Sequence, residues 1–419
     1  MTKDKGTLPF RTCLGCGCTC DDIALEVAGG RITEAGNACD LGRAWFGDGV
    51  VPTKVLIGGK TATLEEAVDR AAALLAAAKN PMVYLAGDLT IEAARHGLSI
   101  ADRVRARLDS PASDTVVAGL VAQQTRGRAA ATLGELFNRA DVVVFWAVDP
   151  AERYPRFRER YSADRKGLAA PEGRASRTLI AVDVGPSKGP KDADHRVSLT
   201  PEQEIAVLGA IRAAVAGRQQ PEGRSLADLV DRLKKAKYTS LVYDAEPSGL
   251  TRSQVRVEAL VALTQALNGP SRAALTALRA GNNRSGIEAL STWQTGFPFA
   301  VDFSRGFPRY LPEESASQLL QSGGIDLVLL AGSPATVPEA VRVGLGSVQV
   351  IAVGPRASEV SPGFHIAVDT GVAGIHEEGT AYRMDDVPIP LRLAFSGPPA
   401  AREVLQTLNL RVLANGGSR

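Results

Sequence analysis

The most informative absence in this 419-residue chain is cysteine beyond position 39. Only five cysteines occur, and all of them lie between Cys13 and Cys39. A disulfide framework spreads its cysteines through the chain and usually belongs to a small secreted domain. The clustering therefore excludes such a framework and indicates metal ligation.

Charge of one sign and long apolar runs are also missing. Lys and Arg total 48 against 46 Asp and Glu, so the net charge is only +2 and offers no strong field for nucleic acid. The polar start, Met1 to Arg11, has no apolar stretch typical of a secretory signal. No segment reaches the roughly 20 apolar residues of a membrane helix. We expect a cytoplasmic protein that binds neither nucleic acid nor membrane.

The cysteines that are present follow the spacing C-x2-C-x3-C-x18-C, through Cys13, Cys16, Cys20 and Cys39. Three thiolates on one glycine-rich loop and a distant fourth suit a [4Fe–4S] cluster. A zinc site usually pairs two short Cys-x2–4-Cys turns, and the second turn is missing here. Zinc, or no metal, stays an alternative. Cys18 could replace Cys16 or Cys20 as a ligand, or remain a buried thiol.

From Lys60 onward, helical and strand patterns alternate. Thr63 and Glu66 predict a capping box at the start of one helix, and Pro201 predicts another helix that begins after Thr200. A third helix is predicted for 254–267. Buried strands are predicted at 82–86, 142–146, 178–182, 241–243, 326–330 and 348–353.

Continuous apolar strands between helices are typical of parallel sheets covered on both faces. We predict an α/β protein of two doubly wound parallel-sheet domains, preceded by a small iron–sulfur segment. The predicted divisions are 1–58 for the cluster segment, 59–240 and 241–400 for the two domains, and 401–419 for a tail. Ligands would bind beyond the carboxyl ends of the strands.

Several long motifs, in order along the chain, resemble the B subunit of formylmethanofuran dehydrogenase, a member of the molybdopterin oxidoreductase superfamily. They are the cysteine loop with Asp21-Asp22-Ile23 and Asn37-Ala-Cys39; Trp146-Ala-Val-Asp149-Pro150; Thr292-Trp-Gln-Thr-Gly-Phe-Pro298; Val301-Asp-Phe-Ser304; Gly306-Phe-Pro-Arg-Tyr310; and Glu378-Gly-Thr-Ala-Tyr-Arg-Met-Asp385. The resemblance implies the fold of that superfamily, one [4Fe–4S] cluster and a bis-pterin cofactor with tungsten or molybdenum.

The resemblance also implies roles for individual residues. Arg279 would match a catalytic arginine of the family. Pterin-binding positions would be the following: Asn283, Thr292, Trp293, Gln294, Asp302, Ser304 and Arg383. These loops could equally keep only their packing role in a chain that has lost the pterin.

One departure from the family pattern affects the expected activity. The family holds its metal by a cysteine followed by a histidine, and the matching stretch here, 113–119, contains neither. Because no cysteine follows Cys39, a cysteine-bound tungsten or molybdenum is excluded there. The methylotrophic branch of the family, in which the B subunit serves a formyltransferase/hydrolase complex, therefore fits better.

We expect a subunit that is not itself catalytic, in a complex that converts a formyl carrier to formate with amidohydrolase-type and formyltransferase-type partner subunits. Two alternatives remain. One is an active molybdopterin- or tungstopterin-dependent formate/CO2 oxidoreductase, whose metal would take an oxygen ligand such as Thr115. The other is an iron–sulfur electron-transfer scaffold.

Overall fold

A computed structural model describes residues 6–247, 250, 253–360 and 364–415. The strands are β1 (Gly6–Arg11), β2 (Ile23–Ala28), β3 (Arg31–Gly36), β4 (Val55–Ile57), β5 (Lys60–Thr61), β6 (Pro81–Leu85), β7 (Arg107–Asp109), β8 (Val142–Trp146), β9 (Thr178–Val184), β10 (His195–Leu199), β11 (Thr239–Asp244), β12 (Ala273–Leu278), β13 (Val301–Asp302), β14 (Arg309–Tyr310), β15 (Leu327–Ala331), β16 (Gln349–Gly354), β17 (Ile366–Asp369), β18 (Gly379–Tyr382) and β19 (Pro388–Leu391).

The α-helices are α1 (Asp40–Phe46), α2 (Leu64–Ala77), α3 (Ile91–Arg103), α4 (Ala112–Thr115), α5 (Val117–Arg126), α6 (Leu133–Arg139), α7 (Phe157–Tyr161), α8 (Glu204–Val215), α9 (Arg224–Lys235), α10 (Gln254–Leu267), α11 (Arg284–Thr295), α12 (Ala316–Gln321), α13 (Glu339–Leu345) and α14 (Ala401–Ala414). Short 3-10 helices cover Gly173–Ser176 and Pro334–Thr336. No helix in the described ranges is long and apolar enough to cross a membrane.

The chain forms two compact units. The larger unit combines residues 1–115 with 281–419, and the inserted unit comprises 116–280. These units do not follow the predicted divisions at 58/59 and 240/241. In the larger unit β6 pairs in parallel with β15, although more than half of the chain separates them. The chain leaves the sheet that contains β6 and β15 and later returns to the same sheet. No single division point in the sequence therefore separates the two units.

The larger unit contains a nine-stranded sheet in the order β14-β13-β7-β6-β15-β16-β17-β4-β5. Its centre is parallel, but β13, β14, β4 and β5 pair antiparallel at the two edges. The prediction of a purely parallel sheet is therefore wrong for this unit. The edge strands are only two or three residues long. Short connections join β4 to β5 and β13 to β14, and within each of these two pairs they permit only antiparallel pairing.

Both faces of this sheet are buried. Val83 and Leu85 join the cluster of apolar side chains beneath α2, α3 and α14, whereas Met82 and Tyr84 join another cluster with α12 and α13. Alternate strand residues point to opposite faces, so an uninterrupted apolar strand is needed when helices cover both. These four residues belong to β6, and the prediction that this strand is buried is confirmed.

The inserted unit contains a five-stranded sheet that is parallel throughout, in the order β10-β9-β8-β11-β12. The direction of winding reverses between β8 and β11, which are neighbours. This unit therefore has the doubly wound arrangement that the sequence predicts. Beneath the sheet, Glu204 and Arg256 form a buried ion pair, and Trp146 donates to the same carboxylate.

Local predictions are confirmed where the signal is strong. Thr63 and Glu66 form the capping box of α2, and α10 begins and ends as predicted. The helix expected after Thr200 begins only at Glu204, because the preceding residues form a turn with Gln203 as the N-terminal cap.

Candidate functional site, a cysteine loop in the larger unit

The first three predicted cysteine ligands lie in the connection between β1 and β2, and the fourth precedes α1. These strands and β3 form a small antiparallel sheet within the larger unit. The Cys13 N–H donates to the Cys20 carbonyl at 2.9 Å, which closes the loop into a compact turn. Cys39 is the N-terminal cap of α1. The fold thus supplies three sulfurs from one loop and the fourth from a helix end.

The cysteines are withdrawn from solvent. Cys18 is completely buried, Cys13, Cys16 and Cys20 are at most 8% exposed, and Cys39 is half-buried. Burial raises the pKa of the Cys13 thiol, and the neighbouring Cys20, Cys16 and Cys39 add to that rise. A hydrogen bond with Cys16, with burial, raises the pKa of Cys18. Several thiolates this close together therefore need a positive partner.

Two glycines make room around Cys13. A side chain at Gly15 would place its Cβ 2.8 Å from the Leu41 carbonyl oxygen, and one at Gly42 would lie 3.2 Å from the Cys13 sulfur. The Gly15 N–H approaches that sulfur at 3.3 Å. An amide that donates to a cysteine sulfur is one of the features that set the potential of an iron–sulfur cluster.

Within the described ranges, no group of three or more His, Cys, Asp and Glu side chains is arranged to hold a single metal ion. A single zinc ion needs its sulfur ligands about 2.3 Å from one point. In a cubane each thiolate binds a different iron, so the four sulfurs stand further apart. Cysteine thiolates are the ligands of iron–sulfur clusters, so this donor set is chemically compatible with such a cluster.

Two backbone hydrogen bonds fix the cysteine loop against distant parts of the chain. The Asn282 N–H donates to the Leu14 carbonyl at 2.8 Å, and the Met384 N–H donates to the Gly17 carbonyl at 3.1 Å. The Leu14 side chain packs with Ala381 and Leu391 of the β18–β19 hairpin. The cysteine loop is thus supported by distant parts of the larger unit.

These bonds bring two predicted pterin residues, Asn283 and Arg383, next to the cysteine loop. Asn283 is fully buried, and its side chain donates to the Leu89 and Thr380 carbonyls and accepts from the Tyr382 N–H. All of its hydrogen-bonding groups are therefore used to join β18 to the loop after β6.

Arg383 is also engaged within the protein. Its guanidinium forms two hydrogen bonds of 2.7 Å with the Asp385 carboxylate, in a side-by-side arrangement. Trp293 is 47% exposed on α11, and its ring lies 6.1 Å from that of Tyr382. Trp293 and Arg383 therefore flank the same strand, β18.

The remaining predicted pterin residues do not converge there. Thr292 and Gln294 are exposed on α11, where Thr292 donates to the Glu288 carbonyl. Asp302 is fully buried at the end of β13, where it accepts from Ser304 and forms ion pairs with Arg107 and Arg309. The partners of this carboxylate are thus other groups of the larger unit.

Arg279, the predicted catalytic residue, belongs to the inserted unit and directly follows β12. Next to it, the Ala280 N–H donates to Glu246 at 2.9 Å. At the end of the neighbouring β11, Asp244 pairs with Arg153. Burial raises the pKa of Asp244, and Arg153 opposes that rise. Charged residues therefore lie at the carboxyl ends of the parallel strands β11 and β12. In open parallel sheets, ligands bind beyond these ends of the strands.

The stretch 113–119, which is predicted to correspond to the family's metal-binding motif, covers the end of α4 and the start of α5. Ser113 donates to Asp109 at 2.7 Å, and Thr115 donates to the Pro111 carbonyl at 2.7 Å. Asp109 also accepts from the N–H groups of Ser110, Ala300 and Ala316. Sequence patterns did not reveal Asp109 as the organising carboxylate of this region, because two of its partners, Ala300 and Ala316, come from distant segments.

Comparison with known proteins identifies the relatives of this chain. It is 33% identical to the B subunit of the tungsten-containing formylmethanofuran dehydrogenase 2 of Methanocaldococcus jannaschii, over 96% of this chain and 97% of the relative. The same protein from Methanococcus maripaludis is 32% identical, over 92% and 93%. The B subunit of the formyltransferase/hydrolase complex Fhc of Methylorubrum extorquens is 31% identical, over 67% and 75%. No family model matches.

The fold agrees with these sequence relationships. A chain of the crystal structure of the formyltransferase/hydrolase complex FhcABCD from Methylorubrum extorquens, solved with methylofuran, superposes with a TM-score of 0.73. That match has 25% sequence identity and covers 87% of this chain and all of the other. Identity above 30% along nearly the whole chain agrees with the fold, and this chain therefore belongs to the family of formylmethanofuran dehydrogenase B subunits.

Proposed function

We propose that this chain is the B subunit of a complex in C1 metabolism that converts a formyl carrier to formate. The observation that carries the proposal is the structural similarity to a chain of a formyltransferase/hydrolase complex, which covers 87% of this chain. The similarity to a chain of an FhcABCD assembly supports amidohydrolase-type and formyltransferase-type subunits as partners. In this proposal the partners perform the carrier chemistry.

We further propose that Cys13, Cys16, Cys20 and Cys39 hold a [4Fe–4S] cluster. Their burial supports this assignment, because closely spaced buried thiolates require compensation by a cation. Such a cluster supplies one-electron transfer when bound. The chain itself withdraws Cys13, Cys16 and Cys20 from water and directs the Gly15 N–H toward Cys13.

The residues at α4 support a subunit without an oxidoreductase centre of its own. Ser113 and Thr115 donate their hydroxyl hydrogen bonds to nearby oxygens of the chain. Asp114 accepts a hydrogen bond from Ser317. Neither cysteine nor histidine occurs in 113–119 to supply the thiolate and proton-handling groups of the family.

A second candidate function is a tungsten- or molybdenum-dependent formate/CO2 oxidoreductase. It is favoured by the two relatives at 33% and 32% identity, which are tungsten-containing enzymes. The two candidates differ in metal content, and this difference can be measured directly.

Anaerobic purification of the chain with its native partners, followed by metal and sulfide analysis, tests the proposal. We expect about four iron atoms per chain, absorbance near ~400 nm that dithionite bleaches, and no tungsten or molybdenum. Tungsten or molybdenum near one per chain would refute the non-catalytic assignment and favour the second candidate. Iron without co-purifying partner subunits would instead favour an electron-transfer scaffold.

Two matched substitutions test the ligand assignment. Cys20→Ser should remove the bleachable absorbance and most of the iron, because serine replaces a thiolate ligand. Cys18→Ser is the control and should keep both. Full iron retention in Cys20→Ser, with loss in Cys18→Ser, would assign the third ligand to Cys18 instead.

A further inference from the structure

A pocket of about 390 Å³ lies in the inserted unit, between the edge strand β10 and the helix α9. This volume is within the range of about 300–1,000 Å³ that is typical of small-molecule sites. Its lining residues include neither the cysteines nor the residues to which the family resemblance gives a role. The pocket is therefore independent of the function proposed above.

The floor of the pocket is apolar. Val197 on β10 and Leu229 on α9 are both buried, and Ile180, which is the β9 partner of His195, is fully buried. The α9 residues above this floor are spaced four apart, at Arg224, Asp228 and Arg232, so they share one face of the helix. The pocket therefore combines an apolar base with a charged wall.

The wall carries an excess of positive charge. Three arginines and His195 line the pocket, and Asp228 is the single carboxylate among its lining residues. Arg196 is already paired, since its guanidinium lies 2.6 Å from the Asp183 carboxylate. That ion pair leaves Arg224 and Arg232 as the arginines that face the pocket from the helix.

The two helix arginines have spare hydrogen-bonding capacity. Arg224 forms no ion pair with any residue in the described ranges. The Nε atom of Arg232 is buried and has no hydrogen-bond partner among the described residues. A buried donor without a partner is destabilising, and a bound acceptor removes that cost. Arg224 also lies in the first turn of α9, where the helix dipole favours an anion.

We propose that this pocket binds a small organic anion. A phosphate or carboxylate group would be held by the guanidinium groups of Arg224 and Arg232, and the apolar part of the molecule would lie over Val197 and Leu229. Guanidinium groups suit both anions because their N–H donors match two oxygens at once.

Isothermal titration calorimetry on the full-length chain tests the site with pyrophosphate, inorganic phosphate and citrate as probes. We expect saturable binding at one site per chain, and the stronger of pyrophosphate and citrate identifies the preferred anion class. Arg224→Gln should weaken binding at least roughly tenfold, because one charge-assisted hydrogen bond is lost. Arg218→Gln, an exposed arginine of the same unit outside the pocket, is the matched control.

Arg232→Gln gives a second test, with a thermal melt to establish that the variant is folded. Binding that weakens in Arg224→Gln and Arg232→Gln but not in Arg218→Gln supports the proposal. The absence of binding of all three probes at millimolar concentration overturns it. Equal affinity in the pocket variants and the control overturns it as well.

Discussion

Replacement of Asn283 by alanine tests whether this side chain stabilises the fold or serves only to bind a cofactor. The side chain is fully buried and forms three hydrogen bonds, at 2.8 Å to Leu89, 3.2 Å to Thr380 and 2.7 Å from the Tyr382 N–H. Alanine would leave these backbone groups without their partner. At about 1 kcal/mol for each bond, with an added cost for groups left buried, the loss is about 3–4 kcal/mol.

Urea denaturation of the purified chain, followed by circular dichroism, measures this loss as a lower midpoint at constant slope. Asn283→Asp should destabilise at least as much at neutral pH, because a carboxylate would face the Leu89 and Thr380 carbonyls. Gln294→Ala, at an exposed position of α11, is the control and should stay within about 0.5 kcal/mol. An Asn283→Ala variant as stable as the unmodified chain would refute a structural role for this side chain.

Two further substitutions test buried carboxylates. Glu204→Gln should destabilise the inserted unit by about 3–5 kcal/mol, because Arg256 would keep a buried charge without its partner. Glu202→Gln, at an exposed position nearby, is the control and should have little effect in the same urea titration. Burial, with a contribution from Asp114, raises the pKa of Asp109 to about 7, so the folded chain binds a proton there between about pH 4 and 7 that the unfolded chain does not. The stabilisation from this protonation is complete below about pH 4 and is lost as the pH rises to about 7. Asp109→Asn should lack this slope in urea titrations at several pH values, and an unchanged slope would contradict the assignment.

The cysteine loop illustrates how much of the site local sequence can predict. Its spacing and glycine content indicate iron–sulfur ligation because three ligands come from one short loop. Sequence does not reveal that Leu14 is anchored among Ala381 and Leu391, since those residues lie far along the chain. The loop can be recognised from its own sequence, whereas the contacts that support it are tertiary and cannot.

The predicted pterin-binding residues show what the sequence leaves undecided. The resemblance identifies Asn283, Arg383 and Asp302 as polar residues in family motifs, and the motifs are present as quoted. Only the structure shows that each side chain has partners within the chain, in β18, in Asp385 and in Arg309. Residue type predicts the capacity to bind, whereas tertiary contacts decide whether that capacity is used.

By itself, the sequence determined the α/β class, the cap of α2, the positions of six buried strands and the cysteine loop, because periodicity, capping and ligand spacing act over a few residues. The tertiary structure alone decided that β6 lies beside β15, that the sheet edges are antiparallel, and that β10 and α9 enclose a cationic pocket. Strand pairing and pocket formation join segments that are distant in sequence, and no local pattern encodes which distant segments meet.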